Sequence, residues 1–599
     1  MYDKCRRQNE GLLIAQHKLY RMNWFIMKRQ SIKQLGFLLL VWGCFLLPPS
    51  LSAQPLSSKE HFTVDDSLRG SLGPGRTWWD VMHYTITVQP DFNNKTLEGQ
   101  VVIQFTAQAG QQKPMQIDLQ QPMMIDKVLF SSGSPTAPAV EIKNITHRNN
   151  VWWLDFGDHA FPLTDKPIYQ YLTIQFHGTP REAIRPPWDG GWIWKKDRNG
   201  NPWMSVACQG LGASVWYPCK DHQSDEPDLG AVQNIIVPDS LVGVGNGKLT
   251  GKKALGNGFT QYTWAVKSPI NNYCIVPYIG KYVNFGETYQ GEKGPLSLNY
   301  WVLDYNKEKA VKHFVDAPRT IKALEHWYGP YPFYEDGFQL VEAPHLGMEH
   351  QGATAYGNNY QKGYLGMDLS NTGWGLKWDF IIIHEGGHDW FANNVSTKDI
   401  ADMWVHEGFT NYCETLFTEY FYGKKAGTDY VEGIRSGIEN DRPIIGPYGV
   451  NKEGSGDMYP KAANMLHNIR SVINNDEKFR SIMRGLNKDF YHTTTTSQEV
   501  ENYISKKAGI DFSKVFDQYL RTIKIPTLLY KIKNGVLSYK WGTCVPGFDM
   551  PVKVLTSDSV YQFIYPVDNQ VKTMKLPKLK NTGSFKVDRN FYVAMGKLP

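Results

Sequence analysis

Cysteine is scarce in this sequence, with seven in 599 residues. Five of them lie beyond residue 53: Cys208, Cys219, Cys274, Cys413 and Cys544. So few cysteines exclude a small fold held together mainly by disulfides. Cys208 and Cys219 could pair in an oxidising compartment, and buried free thiols are the alternative that the sequence leaves open.

An excess of charge of one sign is also lacking over most of the chain. The formal net charge is +6. Residues 1–53 hold eight of the 64 lysines and arginines and two of the 58 acidic residues, so the remainder has 56 of each. We therefore expect no nucleic-acid partner, because a balanced chain gives no electrostatic support for a polyanion. No internal repeat or low-complexity tract stands out either.

A long hydrophobic run is the third feature that the chain lacks. The apolar stretch at 36–47 is too short to span a bilayer comfortably. Lys28, Arg29 and Lys33 precede it, and small residues at 51–53 offer a cleavage site. This pattern predicts a signal peptide and no permanent membrane span in the mature chain.

The predicted leader implies export, so we expect a periplasmic or secreted protein. Met27 is a more typical start of a signal peptide than Met1. Cys44 leaves lipoprotein anchoring as a less favoured alternative, because Trp42 fits a lipobox poorly.

What the chain does have is His384-Glu385-Gly386-Gly387-His388, followed after eighteen intervening residues by Glu407. Histidines at i and i+4 of a helix share one face and can direct both imidazoles at one point. With Glu407 they give the His₂Glu set of a catalytic zinc site, which keeps a fourth position open for water. We therefore predict one Zn²⁺ per chain, with Glu385 as the base that takes a proton from water.

The surroundings of this motif predict a buried helix. Apolar residues run from 380 to 383 directly into His384, and Trp390 and Phe391 follow His388. Gly386 and Gly387 are unfavourable inside a helix, which indicates that something approaches that face closely. A packed strand or the substrate backbone would explain them.

A second helix is predicted to carry Glu407. Asp402 can cap it and Gly423 can end it. Asn411 lies one turn after Glu407, so it could hydrogen-bond a ligand histidine or be solvated.

The segments HEGGHDWFANN and MWVHEGFTNY resemble the zinc-site signature of the aminopeptidase N family. These thermolysin-like zinc metallopeptidases remove single residues from peptide N-termini. Gly387 and His406 stand where the family usually has a larger residue and an asparagine, and neither is a ligand or the base. The resemblance implies peptide substrates with a free N-terminus.

Three further segments resemble parts of the family's substrate site. Gly347-Met348-Glu349-His350 resembles the Gly-x-Met-Glu-Asn loop, with His350 in place of asparagine, and implies that Glu349 binds the substrate α-amino group. A carboxylate suits this role because a desolvated ammonium must be paired.

Tyr459 in DMYPKA matches the tyrosine that stabilises the oxyanion, and Pro460 can place it at a helix start. Gln209 in ACQGL matches a glutamine that helps to hold the amine; a solvated glutamine is the alternative.

Strand and helix patterns predict a multidomain α+β protein. Residues 54–292 show short alternating runs between turn signals, typical of an antiparallel β domain, which is the family's N-terminal saddle. Residues 293–524 show helical patterns around the metal motif and correspond to the thermolysin-like catalytic domain. Residues 525–599 recur at β-sandwich spacing. The resemblance is to exported bacterial members without the large C-terminal helical domain.

We therefore predict an exported zinc aminopeptidase. A zinc endopeptidase on the same scaffold and a catalytically silent peptide-binding homologue are the alternatives. Glu349 argues against the first, because an endopeptidase needs no amine-binding carboxylate. The complete set of ligands, base and tyrosine argues against the second. The sequence leaves open the oligomeric state and the preferred first residue of the substrate.

Overall fold

The computed structural model describes residues 61–108, 113–157, 161, 168–557, 560–576 and 582–599. The predicted leader, with its apolar run and cleavage site, lies outside these residues. Among the described helices, none combines the length and the apolar character that a membrane crossing requires.

The first part of the described chain is mostly β-structure. A short helix, α1 (Val64–Gly70), precedes it and begins at a capping box between Thr63 and Asp66. The strands that follow are β1 (Trp79–Asp91), β2 (Thr96–Ala107), β3 (Met115–Asp118), β4 (Met124–Ser132), β5 (Val140–Glu141), β6 (Ile145–Arg148), β7 (Val151–Leu154), β8 (Gln170–Gly178), β9 (Gly191–Lys196), β10 (Pro202–Ala207), β11 (Ala231–Pro238), β12 (Val242–Val244), β13 (Lys248–Gly256), β14 (Phe259–Val266), β15 (Tyr278–Gly280), β16 (Tyr282–Gly291) and β17 (Gly294–Leu303).

Strands β1 to β15 form three sheets. Their orders are β13-β14-β11-β1-β2-β8-β4-β5, β12-β15-β10-β9 and β3-β7-β6. Neighbouring strands run antiparallel, as the sequence predicts, except that β1 and β11 are parallel. Along β14 every second side chain is buried, which is the two-residue alternation of a strand with one face on a core. The predicted N-terminal β domain is confirmed.

The next part of the chain combines helices with a mixed sheet of order β16-β17-β18-β20-β19. The short strands here are β18 (Phe338–Glu342), β19 (Gly347–Met348), β20 (Thr354–Tyr356), β21 (Val395–Thr397) and β22 (Thr493–Thr495). The helices are α2 (Lys307–His313), α3 (Asp316–Tyr328), α4 (Phe380–Gly387), α5 (Trp404–Tyr422), α6 (Lys424–Gly433), α7 (Pro460–Ile473), α8 (Asp476–Asp489), α9 (Ser497–Ala508) and α10 (Ser513–Leu520).

Helices α4 and α5 carry the predicted metal motif. The carboxylate of Asp379 caps α4 by accepting hydrogen bonds from the backbone N–H groups of Ile381 and Ile382, at 3.0 and 3.3 Å. Every residue of α4 is buried, as the apolar run predicts. Helix α5 ends at Gly423, whose φ of 91° suits glycine and confirms the predicted stop.

The prediction that Asp402 caps α5 is wrong. A 3₁₀ turn over Ile400–Asp402, capped by Asp399, runs directly into the helix, so Met403 is already helical. The carboxylate of Asp402 instead accepts hydrogen bonds from the Tyr448 hydroxyl at 2.7 Å and from the backbone N–H of Ser497 at 3.0 Å.

The last part of the described chain is again β-structure. Its strands are β23 (Thr527–Lys533), β24 (Val536–Gly542), β25 (Val552–Ser557), β26 (Val560–Ile564), β27 (Lys572–Lys575) and β28 (Ala594–Lys597). They form a sheet of order β27-β24-β23-β28 and a separate hairpin of β25 and β26. Side chains from both, including Leu537, Trp541 and Val554, share one buried cluster.

Two hydrophobic cores hold the described chain together. One lies mainly within the N-terminal β region and reaches Ala355. The other joins the helical region to the C-terminal strands, from Leu296 to Phe591. The predicted domain limits, 292/293 and 524/525, stay predictions.

Candidate metal centre and active site

His384, His388 and Glu407 converge on one point. His384 lies on α4, His388 directly follows its last residue, and Glu407 lies in the first turn of α5. The Nε2 atoms of His384 and His388 lie 3.5 and 3.3 Å from Oε2 of Glu407. All three side chains are buried, and their candidate ligand atoms lie within 4.8 Å of one another.

This geometry fits one zinc ion. Two atoms that are each about 2.0–2.1 Å from a tetrahedral Zn²⁺ are about 3.3 Å apart, close to the two observed separations. Oε2 of Glu407 is buried and has no hydrogen-bond partner among the described residues, which is costly unless a cation pairs with it. The predicted metal ligands are therefore brought together as a His₂Glu site.

The other nitrogen of each imidazole, Nδ1, has a hydrogen-bond partner. Nδ1 of His384 lies 2.8 Å from Oε1 of Glu414, and Nδ1 of His388 lies 3.0 Å from the carbonyl oxygen of Phe391. When Nδ1 donates to such an oxygen, Nε2 keeps its lone pair for a metal. Both histidines are thus oriented as ligands by partners within the helical region.

Asn411 supports the site in a way that the sequence did not predict. Its amide donates a hydrogen bond to Oε1 of Glu414 at 2.9 Å, and the Tyr430 hydroxyl donates to Oε2 of the same carboxylate at 2.6 Å. Asn411 is buried, and it acts on His384 through Glu414. Neither of the two predicted alternatives, a direct bond to a histidine or a solvated side chain, is therefore right.

Glu385 faces the metal site as the predicted base. A Cβ at Gly347 would lie 2.6 Å from Oε1 of Glu385, so the backbone of Gly347 lies directly against this carboxylate. Burial is the main cause that raises the pKa of Glu385, to about 7. A carboxylate with a pKa near neutrality is suited to both accept and return a proton.

Glu349 lies beside Glu385, and hydrogen bonds hold its carboxylate in place. One oxygen atom each from Glu349 and Glu385 and one nitrogen of His388 lie within 4.8 Å of one another. Oε1 of Glu349 accepts hydrogen bonds from the Gln209 amide at 2.5 Å and from the Tyr273 hydroxyl at 2.8 Å. Burial raises the pKa of Glu349. Gln209 is therefore not solvated, and it reaches the site from the β region as the resemblance implies.

Tyr459 lies beside the metal ligand His384. It precedes Pro460, the first residue of α7, as the sequence predicts. Its ring stacks on the imidazole of His384 with the centroids 5.9 Å apart. Burial, followed by the negative charge of Glu407, raises the pKa of Tyr459, so its hydroxyl stays a hydrogen-bond donor.

Met348 and His350 are placed differently from their neighbour Glu349. Met348 pairs with Ala355 through strands β19 and β20 and is buried in the N-terminal core. Nδ1 of His350 lies 2.6 Å from the hydroxyl of Tyr278. Their predicted contact with substrate stays a prediction, whereas Gly347 and Glu349 lie at the site.

The two glycines of the motif lie against side chains of other elements, and the closest of these side chains belong to helices. A Cβ at Gly387 would lie 2.5 Å from Sγ of Cys413 on α5, and one at Gly386 would lie 3.3 Å from a methyl group of Thr320 on α3. The predicted close approach is confirmed, and the predicted packed strand takes part in it, because the ring of Phe338 on β18 would lie 3.8 Å from a Cβ at Gly386. Small residues here allow α5 to bring Glu407 close to the two histidines.

The described cysteines carry no disulfide. Cys208, Cys219, Cys274, Cys413 and Cys544 are all free, and Cys208 and Cys219 are buried. The free-thiol alternative is therefore the one that the described residues adopt. Sγ of Cys208 contacts the carbonyl oxygen of Tyr273, so this thiol packs behind the Glu349 pocket.

Glu414 and Tyr273 are the supporting residues that sequence reasoning missed. Glu414 lies seven residues after Glu407, which is two turns along the same helix face, so helical spacing could have indicated it. Tyr273 lies 76 residues from Glu349 in sequence, and no local pattern marks it among 33 tyrosines.

A buried His₂Glu set with an adjacent carboxylate base is the kind of site that zinc metallopeptidases have. Residues 316–519 match the peptidase family M1 domain. The chain carries this domain, and it contains the metal ligands, the base and Tyr459. The predicted family is therefore confirmed for residues 316–519.

Similar proteins agree with this assignment. The chain is 26% identical over 326 residues to endoplasmic reticulum aminopeptidase 1 of Mus musculus, covering 51% of this chain and 33% of that protein. It is 23% identical over 411 residues to aminopeptidase B of Mus musculus, covering 63% of this chain and 59% of that protein. The chain thus spans about a third to three fifths of the length of these two relatives.

A solved structure shows the same fold. It is an M1 zinc metallopeptidase from Deinococcus radiodurans, in a mutant form bound to a Tyr-Ser-Ala substrate. Its TM-score against this chain is 0.61 at 18% identity, over 75% of this chain and 95% of that one.

Proposed function

We propose that this protein is a zinc aminopeptidase that hydrolyses the N-terminal peptide bond of peptides. The observation that carries the proposal is Glu349, a buried carboxylate beside the metal ligands and the base. The hydrogen bonds from Gln209 and Tyr273 fix its position. A peptide α-ammonium that leaves water needs such a partner, whereas the middle of a peptide chain does not.

The residues around this pocket divide the reaction between them. His384, His388 and Glu407 would hold the zinc ion, which would supply Lewis-acid chemistry for the scissile carbonyl and for a water molecule. Glu385 takes the proton of the attacking water and passes it to the leaving amine. The Tyr459 hydroxyl donates a hydrogen bond to the oxygen on which negative charge develops. Glu349 holds the free amine, so only the first peptide bond reaches the base.

Replacing Glu349 with alanine tests the amine-binding role. We expect kcat/KM for free peptides to fall by a factor that corresponds to about 2–5 kcal/mol, the range for truncating one partner of a desolvated charge pair. Steady-state kinetics on a dipeptide amide measure it, with zinc content determined in parallel. Tyr273→Phe is the matched control, because it removes one hydrogen bond to Glu349 and leaves the carboxylate, so its loss must be smaller.

The same assay separates the two other functions. An aminopeptidase cleaves a free peptide and spares its N-acetylated form, and it loses activity to a chelator. Efficient internal cleavage of the acetylated peptide would support the zinc endopeptidase instead. Zinc binding without turnover of any peptide would support the catalytically silent homologue.

We propose also that the protein is exported to the periplasm or secreted. Basic residues, an apolar run at 36–47 and a small-residue site at 51–53 support this. The full chain with a C-terminal tag is expected outside the cytoplasm, with a mature N-terminus near residue 54 by sequencing. Leu39→Asp, which breaks the apolar run, is expected to keep the chain in the cytoplasm. An uncleaved, cytoplasmic wild-type chain would contradict the proposal.

A further inference from the structure

Asn393 is a buried residue to which the proposed mechanism gives no role. It lies five residues after the metal ligand His388 and is 2% exposed. Its Nδ2 donates hydrogen bonds to the backbone carbonyl oxygen of Glu349 at 2.9 Å and to Oδ1 of Asp389 at 3.1 Å. Its Oδ1 accepts a hydrogen bond from the Cys274 thiol, with 3.3 Å between oxygen and sulfur. The whole amide is therefore engaged, and one bond reaches the residue proposed to hold the substrate amine.

These partners allow the amide only one orientation. The Glu349 carbonyl and the Asp389 carboxylate both accept hydrogen bonds, and of the two ends of the amide only Nδ2 carries hydrogens. Burial raises the pKa of the Cys274 thiol, so the thiol keeps its proton and can donate it to Oδ1. The opposite orientation would place oxygen against oxygen at Glu349 and at Asp389. The contact between Asn393 and Glu349 is therefore a directed hydrogen bond.

Glu349 is held at both its backbone and its side chain. Asn393 binds the backbone carbonyl, and the Tyr273 hydroxyl donates to the carboxylate at 2.8 Å. Tyr273 and Cys274 are consecutive residues of one 3₁₀ turn. The turn that holds the Glu349 carboxylate thus also holds the side chain that fixes the Glu349 backbone. These four residues form a closed ring of contacts around the amine-binding group.

The backbone connects Asn393 to the metal ligands. Its N–H donates a hydrogen bond to the carbonyl oxygen of His388 at 3.1 Å. Ala392, directly before it, is fully buried and has a φ of 135°, in the region that favours glycine. A strained residue persists only where its surroundings fix it, and such residues concentrate at functional sites. Here the strained turn returns the side chain of Asn393 to the loop that carries Glu349.

We infer that Asn393 is a positioning residue that sets the distance between the amine-binding carboxylate of Glu349 and the metal ligand His388. An aminopeptidase holds its substrate at two points, the amine and the scissile carbonyl, and a shift of about 1 Å between them can cost about a hundredfold in rate. Asn393 is hydrogen-bonded to residues at both points. The inference rests on the proposed aminopeptidase function and names a residue that aligns its substrate.

Two hydroxamate inhibitors test the inference, because they separate binding of the amine from binding of the metal. Alanine hydroxamate carries an α-ammonium and a zinc-binding group, whereas propionohydroxamate has the same chain without the ammonium. Their inhibition constants are measured against hydrolysis of leucine 4-nitroanilide, with zinc content determined in parallel. In Asn393→Ala we expect the constant for alanine hydroxamate to rise by about ten- to a hundredfold and that for propionohydroxamate to change by less than about twofold. General damage to the site would weaken both inhibitors alike.

The next residue supplies a matched control. Asn394 is also fully buried, and its Nδ2 donates to the carbonyl oxygen and to Oδ1 of Asn487 on α8, both at 3.1 Å. Its Oδ1 accepts a hydrogen bond from the backbone N–H of His492 at 3.1 Å. Asn394→Ala thus removes an equal set of buried hydrogen bonds that does not include Glu349. We expect it to keep the wild-type ratio of the two inhibition constants.

The outcomes distinguish this inference from the proposed function. Should Asn393→Ala fail to fold, Asn393→Ser keeps a smaller polar group that is too short to reach the Glu349 carbonyl, and it must change the ratio in the same direction. An unchanged ratio in a folded Asn393 variant, or an equal change in Asn394→Ala, would overturn the inference and leave the aminopeptidase proposal intact. A wild-type enzyme that binds both hydroxamates equally would instead contradict the proposed binding of the amine by Glu349.

Discussion

Glu385→Gln lowers kcat by about 10²-fold or more while the protein keeps its zinc. Glutamine has nearly the same shape as glutamate, so the contact with the Gly347 backbone survives. The amide cannot accept the proton of the attacking water. The loss therefore isolates proton transfer from metal binding, because His384, His388 and Glu407 are unchanged.

Single-turnover and steady-state kinetics, with zinc measured on the same samples, give the result. Glu385→Asp is the matched variant, since it keeps a base but withdraws it by one methylene, and its kcat should lie between those of wild type and Glu385→Gln. A Glu385→Gln protein with full zinc and near wild-type kcat would contradict the assignment. The base would then have to be sought among the other groups near the metal ligands, of which Glu349 is one.

The parts of the site that follow from local spacing could be predicted from the sequence. His384 and His388 are one helical turn apart, so their convergence needs only that the segment be helical. The end of α5 at Gly423 depends on one glycine with positive φ. Helix and strand patterns also located the three regions of the fold, because burial of one face leaves a period of 3.6 or 2 residues in the sequence.

The parts that depend on distant packing could not be predicted in the same way. The cap at Asp402 was wrong because a 3₁₀ turn extended the helix backwards, which the side-chain pattern does not record. The bond between Tyr273 and Glu349 joins two regions that fold against each other, and Gly387 is small because of Cys413 on another helix.

His388→Ala removes most of the bound zinc and the activity together. Three protein ligands leave little redundancy, because two remaining ligands hold zinc far more weakly than three. His388 is also oriented by the carbonyl oxygen of Phe391 at 3.0 Å and by the Thr410 hydroxyl at 3.1 Å from Nδ1, and alanine leaves both without this partner. Zinc content after dialysis and peptide turnover on the same sample are the measurements.

A graded variant separates loss of a ligand from loss of its support. Glu414→Gln keeps all three ligands but weakens the carboxylate that orients His384, so zinc affinity should fall by about 10–100-fold and recover at high zinc concentration. Competition against a chelator of known affinity measures this. Glu439→Gln, an exposed glutamate outside the site, should match the wild type. Added zinc is expected to restore the activity of Glu414→Gln and not that of His388→Ala, so the pair distinguishes a ligand from a residue that positions one. Full zinc content and turnover in His388→Ala would show that the metal is bound elsewhere.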